Sequence, residues 1–311
     1  MTTGVITIVA SYNASIFLKG QRLPGFGETV IADKFYEGGG GKGSNQAIAA
    51  SVLGAPTRLV ASIGVDRYGD DALDMYRHFG VNTNLIHRVP AIHTGFGAIL
   101  IDCNGDNMIS VAPGANFKLS VEDIDSASET FAESCLVGLQ LENRLDVVEY
   151  GIRKVHSLGV PTFLDPAPAT QLPEDLFPCI DYIKPNEHEA RILTGIIIRG
   201  VEDALQAGRW FIEHGVKIAI VTLGHLGAVW VSQDSQGHLL PPEVCAIDTT
   251  GAGDIFSGAF MTAVSQKKSL EDAIHFANAA AALSVTRLGV VEAIPQLHEV
   301  EATQLAAAGV R

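Results

Sequence analysis

The chain has 311 residues, of which 47% are hydrophobic and 18% are charged, a composition typical of a globular protein. Its formal net charge of −14 argues against nucleic acid as a partner, because the phosphate backbone would be repelled. No apolar run approaches the ~20 residues of a membrane-spanning helix, so no membrane partner is expected. The four cysteines lack metal-site spacing and suit a reducing compartment, which together with the absence of a signal-peptide pattern predicts a cytoplasmic protein.

Apolar strand candidates alternate along the chain with helical patterns, as in a parallel sheet covered by helices on both faces. Strands are predicted at residues 5–10, 57–63, 135–138, 161–164, 182–184, 218–222 and 228–231. Helices are predicted at residues 44–53, 70–79, 121–131, 145–157, 187–193, 201–213, 255–266 and 270–286. No repeat or low-complexity linker divides the chain, which indicates one large α/β domain.

Two segments, residues 15–36 and 95–111, break this alternation. The second has alternating apolar residues at Phe96, Ala98 and Leu100 and contains the turn Asn104-Gly105-Asp106. This pattern predicts short antiparallel strands joined by a hairpin turn. On the pattern alone, such a hairpin is an ordinary surface feature.

A run of four glycines, Gly38 to Gly41, precedes Lys42 and an alanine-rich helical pattern. Such a run lets the backbone approach a small polar group and adopt φ values that other residues avoid. A polar stretch of about thirty residues separates it from the first predicted strand, so it is a weak dinucleotide fingerprint and an NAD-dependent oxidoreductase is a distant alternative. Walker A is excluded because Gly43, instead of Ser or Thr, follows Lys42.

A second segment, Asp248 to Asp254, places small residues where a helical pattern begins. Backbone N–H groups of Gly251, Ala252 and Gly253 can approach a phosphate there, and the helix dipole favours negative charge. Asp254 would then face the group that attacks the phosphate. The alternative is that Thr250 caps the helix and Asp254 only complements its dipole.

The two segments together, in this order, resemble the two signatures of the ribokinase (phosphofructokinase-B) family of sugar kinases. Blocks similar to the family lie between and after them, namely Leu139-Gln140-Leu141-Glu142, Asp165-Pro166-Ala167-Pro168-Ala169, Lys184-Pro185-Asn186-Glu187-His188-Glu189, Thr222-Leu223-Gly224 and Ala279-Ala280-Ala281-Ala282. The resemblance covers nearly the whole chain and is closest to ribokinases. It implies a three-layer α/β/α domain over residues 1–311, with a small β-sheet lid formed by about 15–37 and 94–112, and a homodimer through the lid.

The resemblance also implies a reaction, the transfer of the γ-phosphate of ATP to a hydroxyl of a small sugar, with ribose or a related pentose expected first. In it, Asp254 takes the hydroxyl proton, and the amides of Gly251, Ala252 and Gly253 stabilise the phosphoryl charge. A catalytically silent sugar or nucleoside sensor is the alternative from another class. An intact Asp254 argues against a sensor, which needs no base.

Sugar-binding positions follow from the same resemblance: Asn13, Ser15, Gly41, Lys42, Asn45, Glu142 and Asp254. Ser15 is the departure, because ribokinases carry Asp at this position to accept from two neighbouring hydroxyls. A serine cannot bind two hydroxyls as a carboxylate does. A 2-deoxy sugar, another pentose, a ketohexose or a nucleoside therefore stays open as the substrate.

The resemblance places the nucleotide at Asn186, Thr222, Gly224, Gly227, Gly253 and Asn278. Asn186 and Glu189 would hold water around Mg²⁺, although a plain helix cap explains this spacing nearly as well. Potassium would bind at positions matching Asp248, Thr250, Val285, Leu288 and Val290, but residues 289–293 depart from the family pattern. Lys184 is interpreted as an ordinary solvated lysine.

Overall fold

The computed structural model describes residues 3–307. Its strands are β1 (Ile6–Val9), β2 (Asn13–Lys19), β3 (Lys34–Gly40), β4 (Thr57–Gly64), β5 (Asn82–Val89), β6 (Gly95–Ile101), β7 (Asn107–Ala112), β8 (Leu136–Gln140), β9 (Thr162–Asp165), β10 (Tyr182–Ile183), β11 (Ile218–Thr222), β12 (Ala228–Ser232) and β13 (Gln236–Leu239). Its helices are α1 (Lys42–Val52), α2 (Arg67–His78), α3 (Val121–Ser126), α4 (Ser128–Ala132), α5 (Leu145–Ser157), α6 (Glu187–Thr194), α7 (Val201–Glu213), α8 (Ala252–Ser265), α9 (Leu270–Ser284) and α10 (Leu297–Ala307).

A nine-stranded sheet forms the centre, in the order β13-β12-β11-β10-β9-β8-β1-β4-β5. From β11 to β5 all neighbouring strands pair in parallel, and β12 and β13 pair antiparallel at one edge. Every residue of β1 is buried, as expected for a strand covered on both faces. The predicted, mainly parallel sheet is confirmed.

Two main hydrophobic cores lie on opposite faces of this sheet. Ile6 and Ile8 of β1 pack into the core that contains residues of α1, α2, α8, α9 and α10. Val9 packs into the core that contains residues of α3, α4, α5, α6 and α7. Alternate residues of one strand therefore serve two helical layers, which confirms the predicted three-layer architecture.

Close packing of α1 against α8 brings the two glycine-containing segments together. At Gly258 of α8, a Cβ atom would lie 2.6 Å from the Gln46 carbonyl oxygen and 2.7 Å from Ala49 Cβ. Any larger residue would push the helices apart. The starts of α1 and α8 consequently lie side by side.

A separate four-stranded sheet has the order β3-β2-β6-β7. The predicted hairpin is present, since β6 and β7 pair antiparallel and the Asp102 carboxylate accepts from the N–H groups of Asn104 and Asp106. The expectation of antiparallel pairing throughout was wrong at the centre, where β2 and β6 pair in parallel. These strands follow β1 and β5, which end at the same edge of the main sheet, so both enter the small sheet in the same direction.

The sequence patterns did not predict three elements of the structure, and one predicted helix is two helices. β5 and β13 are partly exposed edge strands rich in polar residues, so neither has the apolar run that predicted the other strands. α10 was not predicted either, because its apolar residues do not fall on one face of the helix. The helix predicted at 121–131 is two helices, because the chain breaks at Ala127. Among residues 3–307, no helix combines the length and apolar character needed to cross a membrane.

Candidate active site

The carboxyl edge of the main sheet carries part of the predicted site. Asp165 ends β9, Thr222 ends β11, and Lys184 directly follows β10. Carboxyl ends of parallel strands share one edge, which is where ligands bind in open α/β sheets. A cavity of about 170 Å³ opens there, lined by Lys42, Asp165, Lys184, Asn186, Glu189, Thr222, Gly251, Gly253 and Asp254.

The first turn of α8 has open backbone donors. Gly251 is the N-cap residue, with a left-handed φ of 76°, and no side chain caps the helix, so Thr250 does not act as the cap. The N–H of Ala252 donates to the Thr249 carbonyl at 3.3 Å. Within residues 3–307, nothing accepts from the N–H groups of Gly251 and Gly253. Two of the three predicted amides are thus available to an anion.

Asp254 is buried in this turn, with 6% of its surface exposed. Its Oδ2 accepts a hydrogen bond from Asn45 Nδ2 at 2.8 Å. Burial raises the pKa of the Asp254 carboxyl, and the positive charge of Lys42 opposes this shift. The negative charge of Asp254 in turn holds the pKa of Lys42 above its usual range, so Lys42 stays charged. A carboxylate in such surroundings has the properties of a general base.

Glu142 fixes the start of α1. Its Oε2 accepts from the backbone N–H of Lys42 at 2.7 Å and from the Ser11 hydroxyl. Gly41, just before the helix, has a φ of 98°, and a Cβ there would lie 2.7 Å from the Ser11 carbonyl oxygen. Only glycine fits this position, because both the conformation and the space exclude a side chain.

Lys184 is buried, with 3% of its surface exposed, so its prediction as a solvated lysine was wrong. Its Nζ lies 2.9 Å from Asp165 Oδ2 and donates to the Gly253 carbonyl at 3.2 Å. Asp165 Oδ2 also accepts from Gln46 Nε2 and Ser257 Oγ, at 2.9 and 3.0 Å. Asp165 Oδ1 is buried and has no hydrogen-bond partner within the described chain. This ion pair joins the sheet to the first turn of α8.

Asn186 and Glu189 form a capping box at the start of α6. Asn186 Oδ1 accepts from the N–H of Glu189 at 2.9 Å, and a Glu189 carboxylate oxygen accepts from the N–H of Asn186 at 2.8 Å. Both residues also line the cavity. Burial raises the pKa of the Glu189 carboxyl, and the negative charge of Asp165 adds to this shift. The cap explains the spacing, and it leaves the second carboxylate oxygen of Glu189 for another ligand.

Comparison with known proteins identifies the family. A sequence profile described as pfkB family carbohydrate kinase matches residues 6–297. The chain belongs to this family.

Relatives of this pfkB family kinase match over nearly their whole length. A ribokinase of Haemophilus influenzae is 37% identical over 295 residues, covering 94% of this chain and 96% of that protein. A deoxyribokinase of Salmonella typhi is 34% identical over 295 residues, with the same coverage. The structure of Arabidopsis thaliana ribokinase complexed with ribose and ATP is similar, with a TM-score of 0.89, 32% identity and coverage of 98% and 99%. The predicted carbohydrate kinase activity and the ribokinase-like fold are therefore confirmed.

The predicted sugar contacts of this pfkB kinase lie partly on the small sheet and partly at the starts of helices α1 and α8. Asn13 and Ser15 lie on β2 of the small sheet, whereas Lys42 and Asn45 lie on α1. Ser15 pairs with glycines on both sides, Gly38 on β3 and Gly97 on β6. Asn45 Oδ1 is buried without a hydrogen-bond partner among the described residues, which leaves an acceptor beside Asp254.

Three predicted nucleotide positions lie outside the cavity lining. A Cβ at Gly227 would lie 2.0 Å from the Leu239 carbonyl oxygen, so a close approach between two backbone segments requires this glycine. Asn278 Nδ2 donates to the same carbonyl at 3.1 Å. Gly224 has a φ of 54° in the turn between β11 and β12. Packing explains Gly227 and Asn278 without a nucleotide.

The predicted potassium positions lie in two loops beside Gly251, residues 247–250 and 285–290, which hydrogen bonds connect. Asp248 accepts from the N–H of Thr250 at 2.9 Å and from the N–H of Gly289 at 3.2 Å. The Val285 carbonyl accepts from the N–H groups of Ile247 and Asp248. The Leu288 side chain is exposed. Val290 packs against Gly251, where a Cβ atom would lie 2.4 Å from Val290 Cγ1. The oxygens of Asp248 and Val285 thus already have hydrogen-bond partners.

The burial of Lys184 predicts a large effect of its removal. In Lys184→Met, Asp165 stays buried without its cation, so we expect the free energy of unfolding to fall by about 3–5 kcal/mol. Urea denaturation followed by circular dichroism measures this change. Lys118→Met, at an exposed lysine, is the control and should change it by less than about 0.5 kcal/mol. Equal midpoints for the two variants would mean that Lys184 is solvated after all.

Proposed function

We propose that this carbohydrate kinase transfers the γ-phosphate of ATP to a hydroxyl of ribose or a closely related pentose. The observation that carries the proposal is the buried Asp254, which lies in the same turn as the open amides of Gly251 and Gly253. Asn45 of α1 holds its carboxylate by a hydrogen bond. The ribokinase of Haemophilus influenzae and the Arabidopsis ribokinase bound to ribose and ATP support the choice of both substrates.

In the proposed reaction, the sugar hydroxyl gives its proton to the Asp254 carboxylate as its oxygen attacks the γ-phosphorus. The bond from that phosphorus to the oxygen it shares with the β-phosphate breaks, and ADP leaves. The amides of Gly251 and Gly253 and the ammonium groups of Lys42 and Lys184 would stabilise the phosphoryl charge. The raised pKa of Asp254 makes it a stronger base than an ordinary aspartate.

Magnesium is part of this proposal. Asp165 and Glu189 both line the cavity, and Asp165 Oδ1 has no partner among the described residues. Carboxylate oxygens and waters are the ligands that Mg²⁺ prefers. We propose that these two carboxylates, with Asn186, hold it mainly through water. Bound there, the ion would neutralise phosphate charge.

Potassium activation is the second cation proposal. Asp248 and the Val285 carbonyl lie next to the turn that Gly251 begins, but both already accept hydrogen bonds from backbone N–H groups. Their oxygens fit a monovalent cation only in part, and no catalytic step depends on it. Turnover measured in K⁺ and in Na⁺ buffers tests the proposal, and equal rates would contradict it.

We further propose that the small sheet is a lid over the sugar and that two lids pair in a homodimer. Asn13 and Ser15 lie on this sheet, and lid closure would exclude water from the phosphoryl group. Several of its large apolar side chains are exposed, namely Phe35, Tyr36, Met108, Ile109 and Val111. Such a patch is typical of a protein interface. Sedimentation velocity at micromolar concentration tests this, and a monomer would contradict it.

A cytoplasmic location also stays a proposal. Cys103, Cys135, Cys179 and Cys245 are all free thiols, as expected in a reducing compartment. Fluorescence microscopy of a tagged full-length protein tests the location.

Removal of the base tests the mechanism. Asp254→Asn keeps the shape of the side chain but cannot take the proton, so kcat should fall by at least ~10²-fold. ADP release from Mg-ATP measures kcat, and the melting temperature reports folding. Asp234→Asn, at an exposed carboxylate, is the control. Near-normal turnover of Asp254→Asn would remove Asp254 from this role.

A second candidate substrate, 2-deoxyribose, is favoured by Ser15 and by the deoxyribokinase relative from Salmonella typhi. Because Gly38 and Gly97 flank Ser15, a longer carboxylate has room at this position. We expect Ser15→Asp to raise the ratio of kcat/KM for ribose over 2-deoxyribose by at least about tenfold, because it restores an acceptor for two hydroxyls.

The assay for this prediction measures ADP release with ribose, 2-deoxyribose, other pentoses, ketohexoses and nucleosides. Ser126→Asp, on an exposed face of α3, is the matched control. An unchanged ratio in Ser15→Asp would mean that this position does not select the sugar. A wild-type protein without turnover on any member would support the sensor.

A further inference from the structure

Asn116 lies directly after the small sheet, in the 3₁₀ helix Gly114–Lys118, and is buried with 1% of its surface exposed. Its side chain bridges to the start of β2. Asn116 Oδ1 accepts from the backbone N–H of Tyr12, and Asn116 Nδ2 donates to the Tyr12 carbonyl, both at 2.9 Å. A backbone N–H can only donate and a carbonyl can only accept, so these two bonds fix which end of the Asn116 amide is the nitrogen.

The second N–H of Asn116 Nδ2 donates to Asn13 Oδ1 at 3.0 Å. Because Asn116 offers only a donor here, Asn13 must turn its carbonyl oxygen toward it. The amide nitrogen of Asn13 is then left over, and no acceptor for it exists among residues 3–307. Asn13 therefore presents its two N–H donors to a ligand, while its oxygen is held against Asn116.

Gly95 provides an independent sign that this contact is built into the fold. Gly95 is the β6 partner of Asn13 in the small sheet. A Cβ at Gly95 would lie 2.3 Å from Asn116 Nδ2, 2.4 Å from Asn13 Oδ1 and 2.4 Å from the Tyr12 carbonyl oxygen. The two amides fill the space that a side chain would need, so any residue other than glycine breaks their hydrogen bond.

We propose that Asn116 is a positioning residue for sugar recognition, which makes Asn13 a donor-only group. This inference rests on the proposed function, in which Asn13 contacts the sugar. Asn45 has the opposite polarity, because its nitrogen donates to Asp254 and its oxygen lacks a partner among the described residues. The site thus offers the sugar a fixed donor on the small sheet. A sugar is accepted only if one of its oxygens faces Asn13.

The variant Asn116→Asp tests this proposal because it keeps the acceptor for Tyr12 but removes both donors. In this variant position 116 offers only acceptors, so the Asn13 amide turns its nitrogen toward position 116 and its oxygen toward the sugar. We expect KM for the best sugar to rise about tenfold and kcat to change less than about threefold, as for loss of a ground-state hydrogen bond. Combined with Asn13→Ala, Asn116→Asp should add no further rise, because it acts through Asn13.

Two further variants keep the test decisive. Gly95→Ala disturbs the same contact from the other side and should raise KM in the same way, even if Asn116→Asp folds poorly. Asn84→Asp, at an exposed asparagine, is the matched control and should leave KM unchanged.

A purely structural role for Asn116 makes different predictions. It would lower the melting temperature in Asn116→Asp and Gly95→Ala with KM unchanged, or give effects that add to Asn13→Ala, and either result overturns the proposal. The rise in melting temperature caused by ribose or 2-deoxyribose without nucleotide is measured in parallel. It needs only sugar binding, so it tests Asn116 even if the wild-type protein transfers no phosphate.

Discussion

The buried ion pair between Lys184 and Asp165 is the contact on which the catalytic edge of the molecule depends. Two charges removed from water are costly unless further hydrogen bonds compensate. Here one carboxylate oxygen accepts from Lys184, from Gln46 of α1 and from Ser257 of α8. Lys184 and Ser257 both donate to the Gly253 carbonyl as well. The Asp165 carboxylate therefore ties both helices that follow the glycine-containing segments, α1 and α8, to the main sheet.

This arrangement also sets the electrostatics of the cavity. Its lining holds Lys42 and Lys184 against the carboxylates of Asp165, Glu189 and Asp254. Burial raises the pKa values of Glu189 and Asp254, and the negative charge of Asp165 adds to both shifts. A phosphate chain would bring further negative charge next to these carboxylates, which is the electrostatic argument for the proposed magnesium ion.

The sequence was sufficient to predict the elements whose patterns are local. Buried parallel strands read as apolar runs, and β1 and β11 were predicted within one or two residues. β5 and β13 were missed because edge strands need no such run. Lys184 looked solvated because its partner, Asp165, is distant in sequence and meets it only through adjacent parallel strands. Asn116 gave no local signal either, since its function depends on a contact with β2 across 103 residues.

The proposed base and the proposed selecting residue Ser15 lie in different parts of the molecule. Asp254 and the amides of α8 are fixed by α1, α8 and the main sheet, whereas Ser15 lies on β2 between two glycines of the small sheet. No hydrogen bond of Ser15 reaches the buried ion pair among the described residues. A change from Asp to Ser at this position can therefore alter which hydroxyls are bound without moving the base. Asn116 lies on the side of the small sheet as well, because the backbone of Tyr12 holds its side chain, which donates directly to Asn13 and makes no contact with Asp254 in the hydrogen bonds of the described residues.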